Sequence, residues 1–160
     1  MALNRALLYS GPVSSIQIGA TPIYYTLDGV TITIETENLE INTDQIPGPT
    51  KIKKVYHKII IAFKIPEQTL DLLKYALNQP DANISGSDMS IKNNERSAEG
   101  VTIGLPSVAG RIYSLAFYSC CFLGTTELSY KKDGQTAFEI RLQVIYDSST
   151  SSYAFFSKGI

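Results

Sequence analysis

The feature that most constrains this chain is the stretch Val30 to Glu37, which reads VTITIETE. Successive side chains of an extended chain point to opposite faces, so Val30, Ile32 and Ile34 fall on one side and Thr31, Thr33, Glu35 and Glu37 on the other. A helix would scatter the same residues around its circumference. Two-residue alternation built from β-branched residues therefore predicts a half-buried strand. The pattern returns between Lys51 and Ile65, where Val55, His57, Ile59, Ile61 and Phe63 share a face. It returns again between Ala137 and Tyr146, with Phe138, Ile140, Leu142 and Val144 on one face and Glu139, Arg141 and Gln143 on the other. Shorter strand-like runs are Ser15 to Ile18, Met89 to Ile91, Gly100 to Leu105, Arg111 to Leu123 and Thr126 to Lys131. Asp133-Gly134 has the chemistry of a hairpin turn, since both residues tolerate positive φ.

The period changes once. Between Pro66 and Asn78, Leu70, Leu73 and Leu77 recur three and four apart beside Ala76, which predicts an amphipathic helix. Pro66 suits a first helical turn, Glu67 complements the helix N-terminus, and Gln79-Pro80 ends the run. The expected architecture is mainly β, a β-sandwich or barrel with one flanking α-helix over about residues 66–78. Ile32, Ile34, Ile59, Ile61, Phe63, Ile140, Leu142 and Val144 are the expected core, capped by Leu70, Leu73 and Leu77. One domain spans 1–160, with an extended N-terminal arm at 1–14, a polar segment at 80–100 and a C-terminal tail at 148–160. Within that tail Ser148 to Ser152 reads as a flexible linker. Residues 38–54 break at Pro47, Gly48 and Pro49 and are expected to project as a hairpin or long loop.

A chain of 160 residues can bury one substantial core. Charged residues make up 18%, below the usual quarter, which hints that some surface is covered by partners. The net charge of −1 gives no general attraction to nucleic acid. No signal peptide is legible at Met1 to Ser10, and no apolar run is long enough to cross a bilayer. Cys120 and Cys121 are adjacent in an apolar run, a spacing poorly suited to a mutual disulfide, and read as small core residues of a reduced protein.

Catalytic chemistry is hard to find. His57 is the sole histidine and sits mid-strand on the apolar face, where a packed core residue is the expected role. Zinc would want several His or Cys ligands at suitable spacing. Ser107, in GLPSVAG, lacks the spacing of a nucleophile elbow, and Gly100 to Gly104 lacks a phosphate-cradle lysine. Glu35 and Glu37 point the same way on a strand and read first as a solvated face. Lys51, Lys53, Lys54, Lys58 and Lys64 read first as a charged edge that discourages strand aggregation, and second as inter-subunit partners for Glu35, Glu37, Glu40 or Asp44. Asn83-Ile84-Ser85 matches a glycosylation acceptor by chance. No catalytic residue, metal or cofactor is expected.

The layout resembles the major tail tube proteins of tailed bacteriophages. VTITIETE, the projecting NLEINTDQIPGPTKIKK and the strand VYHKIIIAFKI lead directly into PEQTLDLLKYALN, and TAFEIRLQVIYDSST closes the strand series. The likeness covers residues 15–80 and 110–150. It implies a virion structural protein whose copies join sheets into homohexameric rings, which stack into the tube that conducts DNA during ejection. It implies self-association, contacts with tape-measure, tail-tip and tail-terminator proteins, and in contractile tails a sheath. DNA would pass without specific binding. Such a protein resides in the virion after assembly in the host cytoplasm and has no membrane role.

On that resemblance Thr31, Thr33, Glu35 and Glu37 are expected to face the lumen, since basic residues there would hold phosphates. Asn38, Leu39, Glu40, Ile41, Asp44, Ile46, Pro47, Gly48, Pro49, Lys51, Lys53 and Lys54 are expected to contact the next ring. Two other readings compete: the related type VI secretion tube protein, and a monomeric or trimeric β-sandwich binding module using some of the ten tyrosines. A small β-barrel enzyme has the least support.

Overall fold

The alternating stretches form the middle of one antiparallel sheet. The computed structural model describes residues 2–24, 26–43, 46–66, 69–106, 112–124 and 137–158; side chains at 2–10, 42, 43, 46, 47, 49, 50, 55–57, 112, 113 and 158 lie outside that description. In chain order come β1 (Ala2–Gly11), β2 (Ser15–Ile18), β3 (Thr21–Ile23), β4 (Leu27–Thr43), β5 (Ile46–Ile65) and α1 (Leu70–Ala76). The tiny β6 (Ile84–Ser85) and β7 (Asp88–Met89) follow, then β8 (Glu99–Gly104), β9 (Ile112–Phe122), β10 (Phe138–Val144) and β11 (Ala154–Lys158). The main sheet runs β1-β4-β5-β10-β9-β8-β2-β3, with β11 also on β9. Among the described residues its two ends do not pair, so it is open.

One edge of β9 carries two partners in succession. Cys120 to Phe122 pair with β10, while Ile112 to Phe117 pair with β11. Its opposite edge pairs with β8.

The inward faces match the alternation. Val30 and Ile32 of β4, Ile59, Ile61, Phe63 and Ile65 of β5, and Phe138, Ile140, Leu142 and Val144 of β10 are buried. They join Ile16, Ile18, Val101, Ile103, Leu115 and Phe117 from the other end of the strand order in one cluster, and Ile34 packs against its margin. Burying each large aliphatic side chain contributes roughly 1.5–3 kcal/mol.

The helix is shorter than expected and turned. It spans Leu70–Ala76 behind Thr69, whose extended backbone makes it the N-cap. Pro66 therefore lies outside the helix, and Glu67 falls outside the described residues. Its buried face is Leu72, Tyr75 and Ala76, not Leu70, Leu73 and Leu77; of those three only Leu73 packs against the core, and partly. Leu72, Tyr75 and Ala76 also stand three and four apart. The Tyr75 ring goes inward because its hydroxyl finds a partner there, donating to Thr21 Oγ1 at 2.9 Å. The helix ends in a Schellman turn: Asn78 takes φ 53°, its N–H bonds the Tyr75 carbonyl, and the Gln79 N–H bonds the Lys74 carbonyl.

Both terminal segments pair with the sheet, β1 with β4 and β11 with β9. The expected arm contains β1, paired with β4 from Ala2↔Asn38 to Gly11↔Val30. Ser148 to Ser152 is a closed turn, not a flexible linker. The Asp147 carboxylate accepts bonds from the backbone N–H and hydroxyl groups of both Ser149 and Thr150. Four local donors to one carboxylate over-determine the loop. The expected strand at Met89 to Ile91 is instead the β6–β7 pair, with Ile91 outside it. The Asp133-Gly134 turn, the run Thr126 to Lys131 and Ser107 lie outside the described residues.

Candidate functional site

The four proposed lumen residues occupy the outward face of β4. Thr31 is exposed, and Thr33, Glu35 and Glu37 are half-buried. Register across the sheet places their neighbours. One row is Thr31–Ala62–Arg141 and the next is Thr33–Ile60–Gln143. Glu35 stands opposite Lys58, and Glu139 stands opposite Lys64. The Arg141 Nε lies 4.0 Å from Glu139 Oε1. A face that reads as acidic along one strand is thus charge-mixed across three. Alternation along a strand cannot reveal this, because the neighbours come from distant sequence.

The projecting segment is paired strand almost to its tip. Asn38↔Lys54, Leu39↔Lys53, Glu40↔Ile52 and Ile41↔Lys51 continue the β4–β5 ladder, which ends at Thr43↔Ile46. The ladder shifts register after Glu37, Ile41 and Asn42, which accommodates extra β5 residues, among them Pro47 and Gly48. Leu39, Glu40, Ile41, Gly48, Lys51, Ile52, Lys53 and Lys54 are exposed, and Asn38 is half-buried. Asp44 lies outside the described residues, as do the side chains of Ile46, Pro47, Pro49 and His57.

Partner strands stop short of this tip. β10 pairs with β5 only from Ile59 to Ile65, and β1 pairs with β4 only as far as Asn38. At ~3.3 Å per residue, β5 runs about 40 Å past its last β10 partner. The result is a three-stranded extension, β1–β4–β5. Among the described residues no strand lies on the outer side of β1 or beside β5 between residues 46 and 58.

A second polar constellation holds the segment 78–99. Arg96 donates to Asp81 Oδ1 at 2.7 Å, to the Gln79 carbonyl at 3.2 Å and to both Glu99 oxygens at 3.1 and 3.3 Å. Burial works against its charge, but the bonds to Asp81 and Glu99 outweigh that and raise its pKa. Lys74 Nζ is 2.9 Å from the same Asp81 oxygen. Asp81, bonded first by Arg96 and then by Lys74, is lowered to about 2. Beneath it Asn83 donates to Gln79 at 2.6 Å and to Asn94 at 2.8 Å. Asn83 is 5% exposed, so its amide is committed to the interior and the glycosylation match has no accessible acceptor. Every charge in this cluster has a partner across the segment, which is the arrangement of a clamp.

Other features carry less chemistry. Cys120 is buried, and burial pushes its thiol up to about 12, while Cys121 on the opposite face is half-exposed. A depression of about 240 Å³ includes Ser14, Ser15, Tyr24 and Thr26 in its wall. Among the described residues no three His, Cys, Asp or Glu side chains group as a metal ion needs, and no helix is long and apolar enough to cross a membrane. Four large apolar groups, Tyr118, Tyr146, Phe155 and Phe156, are exposed around β9 and β11, a surface the strand periodicity did not signal. No protein-family model matches the chain, and no curated protein matches it in sequence.

Proposed function

We propose that this chain is a self-assembling structural protein of the tail-tube kind, acting through assembly and not through catalysis. Its copies would join edge to edge into rings, and the rings would stack into a tube for DNA passage. On this reading the sheet folds over on itself as a sandwich with α1 on its flank.

One observation carries the proposal. Among the described residues, the extension β1–β4–β5 has two different open strand edges, the outer side of β1 and the side of β5 between residues 46 and 58. Open edges are templates for pairing. Two unlike edges on opposite sides of one sheet favour head-to-tail association, which closes into a ring if the rotation permits. The outward face bearing Thr31, Thr33, Glu35 and Glu37 would then line the ring. Lys58 opposite Glu35, and Glu139 close to Arg141, leave that face with mixed charge and no broad positive field to retain phosphates. The hairpin tip would reach the neighbouring ring. Tape-measure, tail-tip and terminator proteins are the partners this role would require.

Negative-stain electron microscopy over a concentration series tests the reading. Rings or hollow tubes are expected. Dispersed monomers at high concentration, even with tail-tip seeds, would overturn it and favour a binding module. Deleting residues 44–50 should leave the monomer folded and stop tube growth.

A further inference from the structure

We propose that the hairpin tip of one copy seats on the aromatic face formed by β9, β11 and Tyr146 of a second copy. This landing site rests on the assembly reading above and names the surface that the tip would occupy.

Exposed large hydrophobic side chains gather in two places. On the tip, Leu39 and Ile41 share one face with their partners Lys53 and Lys51, and Ile52 shares the other with Glu40; Tyr118, Tyr146, Phe155 and Phe156 are on the β9–β11 end, with Phe156 on the side of Leu115 and Phe117. Together they are seven of the nine such residues among those described. The strand registers explain the second patch. Phe155 lies across from Ala116, and the Tyr118 N–H bonds the Tyr153 carbonyl. Leu115 and Phe117 point into the core, so Phe155 and Tyr118 point out. Tyr146 packs edge-on against Tyr153, with ring centroids 5.4 Å apart.

The two surfaces are chemically complementary. The segment 38–54 carries Lys51, Lys53 and Lys54 against Glu40 and Asp44, and Lys51 and Lys53 share a face with Leu39 and Ile41. The β9–β11 face presents aromatic rings, which attract ammonium groups, and the half-exposed Asp147 next to Tyr146. Asp147 is held in place by Ser149 and Thr150, so its carboxylate is already positioned for a lysine. Dimensions also agree. Five residues of β11 span about 16 Å, and Asn38 to Thr43 on the tip span about 20 Å at ~3.3 Å per residue. β11 has no strand on its outer side among the described residues, so backbone pairing could accompany the side-chain contact. Since the two patches differ, each copy can give its tip to one neighbour and accept another's, which propagates instead of stopping at a dimer.

The test is site-specific photo-crosslinking from residue 39 of the full chain, with isotope-labelled and unlabelled copies mixed to identify inter-copy products. Crosslinks should fall in residues 112–122 or 146–158 of a second copy. The double variant Tyr146→Ser, Phe155→Ser should fold normally by circular dichroism and raise the assembly concentration by about tenfold or more, a loss of roughly 1.4 kcal/mol. Crosslinks from tip to tip, or to any other segment, would overturn the inference, as would unchanged assembly of the double variant. Failure of the assembly reading itself shows separately, as wild-type chains that sediment only as monomers before any crosslink is read.

Discussion

The Arg96 guanidinium lies over the Tyr75 ring, 4.4 Å from its centroid. Tyr75 is the anchor of α1 in the core, and Arg96 is the anchor of the segment 78–99, so this stacked pair, beside the Lys74–Asp81 ion pair, ties the irregular part of the chain to the helix. The Arg96 side chain is only 6% exposed. Arg96→Met should lose about 2 kcal/mol, because Glu99 and the Gln79 carbonyl are left without their donor. Arg96→Lys should lose about half that, keeping the charge but not the planar fork. Urea unfolding midpoints at constant slope read the difference.

Acid should release the same clamp. The Asp81 carboxyl is lowered from 3.8 to about 2 by Arg96 and Lys74. A depressed carboxyl favours the fold above its unfolded pKa, and that contribution fades as pH falls through the folded value. Stability should therefore drop between about pH 4 and pH 2, and Asp81→Asn should remove that part of the drop. The Asp81 side chain is 68% exposed, so added salt should shrink the effect. Thermal melts across that range, with and without salt, check both statements.

Gly29 should tolerate no side chain. It has φ 74°, and a Cβ there would overlap the Gly11 carbonyl oxygen where β1 meets the β4 bulge. Gly29→Ala should destabilise the chain by about 2 kcal/mol or more, since strain and overlap add. Its neighbour Asp28 has φ 60° and is exposed, so Asp28→Gly should be neutral or slightly stabilising. Calorimetry on the two variants separates the positions.

The adjacent cysteines should react unequally. Cys120 is 0% exposed and its thiol is pushed up to about 12, whereas Cys121 faces outward and is half-exposed. Iodoacetamide at mild alkaline pH should label Cys121 alone in the folded protein and both in urea, as read by peptide mass spectrometry.

Legibility in the sequence followed the range of the interactions. Strands β4, β5 and β10 were readable because Ile32, Ile61 and Ile140 each sit in a local two-residue rhythm that burial alone imposes. Local apolarity points to Leu70 and Leu77 over Tyr75, yet the buried face of the helix is Leu72, Tyr75 and Ala76. The Tyr75 ring turns inward onto Phe122, where Thr21, far away in sequence, accepts its hydroxyl. Lys58 across from Glu35, and Arg96 across from Asp81, depend on registers and loop paths that no local pattern encodes. The same holds for the β9–β11 aromatic face. β11 reaches it because the Asp147 turn folds the chain back, and in sequence that turn looks like a soft linker.

The β2–β8 ladder has a consequence for how the chain comes off the ribosome. Ile16 and Ile18 are buried against Ile103 and Val101, which are translated much later. The β4–β5 hairpin can form as soon as its own residues emerge, but the first isoleucines must wait, greasy and unshielded, until more than half of the polypeptide has been made. Nascent chains stalled before residue 99 should therefore recruit a ribosome-associated chaperone, and release should coincide with the emergence of β8.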